Sequence, residues 1–163
     1  MARIDFVTGN AQAYLPDVEA LAGIPDRTEA RLSGYASADL RAEPADGEWS
    51  AARILRHMTF YALETSHNLR RMAWQESPTI TMWDEDAVAA ERGWDGMDGS
   101  RLLDAFTEAL AEGVEVLKDL PDAWWGRPGV HPRAGMFCIR QFVRRQTGHL
   151  DRHLEQIAET LAS

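Results

Sequence analysis

Two of the chain's five histidines, His149 and His153, stand four residues apart in the stretch Gly148-His149-Leu150-Asp151-Arg152-His153-Leu154-Glu155-Gln156-Ile157. On a helix such a pair projects from one face, one turn apart, so both imidazoles can converge on a single point. Burying two imidazoles side by side without partners is costly, whereas a cation accepts both in their neutral forms. The spacing therefore suits a metal ion. One helix supplies only two ligands in this way, and a third has to come from elsewhere in the chain.

His57, His67 and His131 are the choices. His57 and His67 lie ten positions apart, about 280° of rotation beyond whole turns at roughly 100° per residue, so they do not share a helix face. His57 borders an apolar stripe and is preferred. His67 is expected to be solvated, and His131, in a Pro/Gly-rich loop, to shape that loop together with Pro132. Glu64, seven residues after His57, falls on nearly the same face, either as an acid/base group behind the ligands or as a solvated glutamate. Gln146 and Gln156 could orient ligands or line a pocket.

These residues need helices to position them. The first ten residues read as a leading strap, and a helical pattern begins near Tyr14, with Leu15, Val18, Leu21, Ala22 and Leu32 at spacings of three and four, broken at Gly23 and Pro25. Arg41 to Gly47, with Pro44 and Asp46, is a loop. Ser50 is an N-cap for a second helix running to about Glu76, its inward stripe Ile54, Met58, Tyr61, Ala62, Thr65, Leu69 and Met72, stopped by Pro78. Ser77 to Gly99 is a long crossover in which Asp84 to Arg92 can form a short helix, and its Trp83 and Trp94 are expected to cover a core or pocket mouth. A third helix from near Ser100 carries Leu102, Leu103, Phe106, Leu110, Val114 and Leu117 and ends at Pro121. A second loop follows, to Gly135. The last helix, from near Met136, carries Ile139, Phe142, Val143, Leu150, Ile157 and Leu161 on one face, with Gln146, His149 and His153 along its edge. No run resembles a set of β-strands. The reading is all-α: a four-helix bundle with a long crossover carrying a short extra helix.

The 163 residues suffice for one domain. The formal net charge of −9 argues against nucleic acid or an anionic membrane as a general partner. The single cysteine, Cys138, excludes an internal disulfide framework, fits a reducing cytosol and reads as a small buried hydrophobe. No signal peptide or membrane-spanning run is visible, so a cytoplasmic location is expected.

The segment Trp49-Ser50-Ala51-Ala52-Arg53-Ile54-Leu55-Arg56-His57-Met58 resembles the W-S-x-x-x-I-L-x-H motif, closed by leucine or methionine, of the DinB-like metal-binding helical-bundle superfamily. His149 to Ile157 resembles the same superfamily's H-x-x-x-H-x-x-Q-I helix. The resemblance spans roughly Arg27 to Ala162; residues 1–26 are less family-like. It implies a four-helix bundle, often dimeric, in which His57, His149 and His153 bind one divalent metal, zinc or nickel.

Three neutral histidines leave a position for water or substrate, the pattern of a catalytic rather than a structural site. The resemblance includes enzymes that use a low-molecular-weight thiol as cosubstrate, which implies a thiol-dependent S-transferase or isomerase acting on a small molecule. Arg53, Arg56, Arg140, Arg144 or Arg145 could meet an acidic thiol. The alternatives are a hydrolase using metal-activated water and a non-catalytic, stress-related metal-binding module.

Overall fold

The computed structural model describes residues 13–45 and 47–163. The expected leading strap, and Asp46 of the expected loop, lie outside the described residues. The first helical arm is α1, residues 13–22, and α2, Ile24–Leu32, separated at Gly23 where the break was expected, with Pro25 in the first turn of α2. There its missing N–H has no carbonyl to serve. A five-residue helix, α3 (Ser37–Arg41), precedes the loop.

The second long helix, α4 (Ala51–Trp74), starts where Ser50 Oγ accepts the Arg53 N–H at 3.3 Å. It ends two residues before the expected Glu76. In the crossover, Asp84 caps α5 (Glu85–Arg92), which ends at Gly93 in the left-handed region, φ 67°. The third long helix is α6 (Gly99–Lys118) and the last is α7 (Ile139–Ala162). α4 packs chiefly against α6 and α7, and α2 closes the bundle against both. Ile54, Leu55, Met58, Leu69, Phe106, Leu110, Phe142 and Leu150 fill the centre, each at 2% exposure or less. No helix of the described residues is long and apolar enough to cross a membrane.

α4 and α6 approach closely because Gly113 faces Ser66. A Cβ at Gly113 would lie 2.7 Å from Ser66 Oγ. The buried Ser66 hydroxyl donates to the Ala109 carbonyl and accepts from Gly113 N–H, so no polar group is left unpaired at the contact.

The expectation of no strands needs correcting. Pro128–His131 (β1) and Gly135–Cys138 (β2) form an antiparallel hairpin, and β1 also takes a parallel bridge from Thr79 in the crossover. Met136 and Phe137, expected in the last helix, therefore lie in β2. The cause is the turn: Gly135 adopts φ 81°, which returns the chain alongside β1, and the ladder satisfies backbone groups before a helix can begin. Cys138 ends half-buried at the N-cap of α7 rather than buried.

Of the two crossover tryptophans, Trp94 is buried at 5% exposure. Trp83 rests on His67, ring centroids 4.5 Å apart. Their covering role is as expected.

Candidate metal centre

α4 carries His57 and α7 carries His149 and His153. Tyr61, one turn after His57, stacks on His149, one turn before His153, at 3.8 Å between ring centroids, so the two helices run antiparallel here. That register brings the three imidazoles together. Ring centroids lie 4.6 Å apart for His57 and His153, 4.5 Å for His149 and His153 and 5.4 Å for His57 and His149. One nitrogen from each lies within 4.8 Å of the other two, a group that could hold a metal ion.

The outer nitrogens decide how the rings present themselves. His57 Nδ1 lies 2.7 Å from Glu85 Oε2, and a carboxylate only accepts, so Nδ1 carries the proton and Nε2 turns a lone pair inward. His153 Nδ1 is held in the same sense by Gln156 Oε1 at 2.9 Å. His149 differs. Its Nδ1 faces the donor Arg152 Nη2 at 3.4 Å, and its Nε2 lies 3.1 Å from His57 Nε2, the pattern of an Nε2–H donating to His57. Two of the three rings thus already hold the tautomer a cation requires, and the third reaches it by moving one proton to Nδ1 and releasing Arg152. The donor set fits a divalent ion.

Charge points the same way. Burial, then the neighbouring His153 and His57 and the positive Arg152 and Arg145, push the His149 pKa down to about 4. Burial also lowers His153, against the opposing hydrogen bond that its Nδ1 donates to Gln156 Oε1. Both are neutral near pH 7, as ligation needs.

Trp49 walls one side, 5.5 Å from the His57 ring and 6.5 Å from that of His153. Beside it a cleft of about 530 Å³, lined by Glu48, Trp49, His153, Gln156 and Glu159, reaches His153 from the C-terminal end of α7.

The remaining histidines stand apart. His67, expected to be solvated, is half-buried against Trp83 and 3.3 Å from the Thr81 hydroxyl. His131 shapes its turn as expected: Nδ1 accepts the N–H groups of Arg133 and Ala134, both at 3.1 Å. Glu64 makes no hydrogen bond to the triad. It is half-buried and accepts the Trp83 N–H at 2.8 Å, fastening the crossover to α4, and burial raises its pKa against that hydrogen bond. Gln156 does orient a candidate ligand, whereas buried Gln146 has an Oε1 without a partner. Sequence reading missed Glu85, although its place in the first turn of a helix that must pack near His57 was a usable signal.

The DinB superfamily profile matches residues 20–157. The chain belongs to the DinB superfamily. Among solved structures, YfiT from Bacillus subtilis, described as a probable metal-dependent hydrolase with an unusual four-helix bundle topology, superposes with a TM-score of 0.78 at 18% identity over 89% of this chain and 83% of its own. At that identity the likeness establishes a shared fold. No functionally curated protein matches the sequence. Within this DinB-superfamily bundle, the histidine triad occupies the facing positions of α4 and α7.

Proposed function

We propose that the protein is a metal-dependent enzyme in which His57, His149 and His153 hold one divalent cation, zinc or nickel, and that its chemistry is transfer to or from a low-molecular-weight thiol, as an S-transferase or isomerase. The observation carrying this reading is the convergence of three imidazoles, two of them tautomerically set by Glu85 and Gln156. Neutral ligands leave the double positive charge uncompensated, and a cation so held supplies Lewis acidity that lowers the pKa of a thiol or water at its remaining position. The chain's own residues do the rest. Glu85 and Gln156 fix ring orientation, Trp49 and Tyr61 shield two sides, and the cleft beside His153 admits a small molecule.

Of the arginines that could meet an acidic thiol, Arg140 and Arg144 are engaged by Asp17. Arg56 is engaged by Glu85, Asp86 and Asp95, and Arg53 stacks on Trp49. Arg145 makes no ion pair among the described residues.

A second reading, hydrolysis by metal-activated water, is favoured by the fold shared with YfiT. A small-molecule partner and a two-chain assembly belong to the same proposal, and a monomeric mass in solution would remove the second. Elemental analysis of wild type, His57→Ala and His149→Ala should find near-stoichiometric metal in the first and none in the variants. Metal retained in either variant removes that residue from the site. Candidate thiols with a generic electrophile then separate the classes: metal-dependent conjugation supports transfer, turnover of esters or amides alone supports hydrolysis, and no turnover of either kind leaves the non-catalytic module.

A further inference from the structure

Charge is unevenly distributed around the site. Toward the C-terminus of α7 the cleft beside His153 is lined by Glu48 and Glu159. Along α7 itself, Arg145 and Arg152 stand one turn before and one turn after His149, on the same stripe of the helix. Both are exposed, and neither forms an ion pair among the described residues. This contrasts with Arg56, Arg140 and Arg144, which are consumed by carboxylates.

Tyr61 joins the arginine pair. Its ring stacks on His149, and the positive charges of Arg145 and Arg152 act on its hydroxyl against the negative Glu64. The Arg145 guanidinium is also supported from below by the Phe137 ring of β2, 5.4 Å from its centroid. Arg152 rests against His149 Nδ1, a contact that ends when Nδ1 takes the proton that ligation through Nε2 requires.

We propose that Arg145, Arg152 and the Tyr61 hydroxyl form a subsite for an oxyanion substituent, carboxylate or phosphate, of the small molecule that reacts at the histidine centre. The proposal rests on the reading that the three histidines hold a cation, and it adds the substrate class. Two guanidinium forks and one hydroxyl supply charge-assisted donors to oxygen. Because they flank His149, one molecule can place its reacting atom at the centre and its anion against them. Glu48 and Glu159 in the cleft beside His153 disfavour an anion there.

The test uses cobalt-loaded full-length protein, with mercaptosuccinate and the neutral thioglycerol as probes and the visible spectrum as readout. Mercaptosuccinate should bind at least about tenfold more tightly than thioglycerol. Arg145→Gln and Arg152→Gln, both at exposed positions, should each erode that preference while leaving thioglycerol affinity unchanged. Raised salt should erode it as well. A preference that persists in both variants overturns the proposal. If neither thiol binds, or no cobalt loads, the metal or thiol reading fails and a second arm decides the subsite: inorganic phosphate titrated into metal-free protein, followed by the arginine Nε–H resonances. Saturable shifts at Arg145 and Arg152, weakened in Tyr61→Phe, support it; no shift at either arginine overturns it.

Discussion

Glu85 Oε2 lies 2.7 Å from His57 Nδ1, joining the short helix of the crossover to the candidate metal centre. The two side chains are only 16% and 24% exposed for His57 and Glu85 respectively, so solvent screens the contact weakly. Arg56, the residue just before His57 on α4, holds Asp86 and Asp95 as well as Glu85, which anchors α5 against the helix that carries His57. Removing the carboxylate frees the His57 ring to rotate and to change tautomer. Glu85→Ala should weaken zinc binding by about 10–100-fold, measured by competition with a chromophoric chelator. Glu85→Gln keeps an acceptor oxygen and should recover part of that loss. Equal affinities in all three proteins would mean that Glu85 serves the crossover alone.

Metal should also stabilise the bundle, because its ligands come from two helices 92 residues apart in sequence for His57 and His149. A cation at about a hundred times its dissociation constant adds about 2.7 kcal/mol. For a chain of this size that raises Tm by roughly 5–10 °C. Calorimetry with and without zinc checks it, and His153→Ala should abolish the rise.

The metal-free protein should lose stability in mild acid. With the folded His149 pKa lowered to about 4 from an ordinary 6.5, the unfolded chain binds more protons between those values. The contribution is intact above pH 6.5 and lost progressively as pH falls toward about 4. His149→Gln should flatten this part of the profile of urea midpoint against pH. A profile identical to that of wild type would contradict the assignment.

Gly113→Ala should destabilise by about 1–3 kcal/mol. The added methyl meets Ser66 Oγ at 2.7 Å and Ser66 Cα at 3.2 Å, so the backbone of α4 has to move as well as a side chain. Chemical denaturation measures the loss. Ser66→Gly in the same chain should restore part of it by removing the obstructing hydroxyl.

What the sequence by itself determined about this protein was local in origin. The four-residue spacing of His149 and His153 places both on one face whatever surrounds them, and Ser50, Asp84 and Pro25 mark helix starts through hydrogen bonds or missing donors within a few residues. Apolar periodicity likewise marked the inward faces of α4, α6 and α7, and with them the bundle. Tertiary structure decided the rest. Whether His57 meets the pair depends on the register of α4 against α7, set by distant packing that includes Met58 and Leu150. Glu85 reaches His57 across 28 positions, and no periodic pattern encodes that contact. Met136 and Phe137 continue the apolar face of a helix when read along the chain, yet they pair with Val130 and Gly129, because Gly135 turns the backbone where a strand partner already lies. Spacing along one helix is a property of the chain, whereas the meeting of two helices is a property of the core between them.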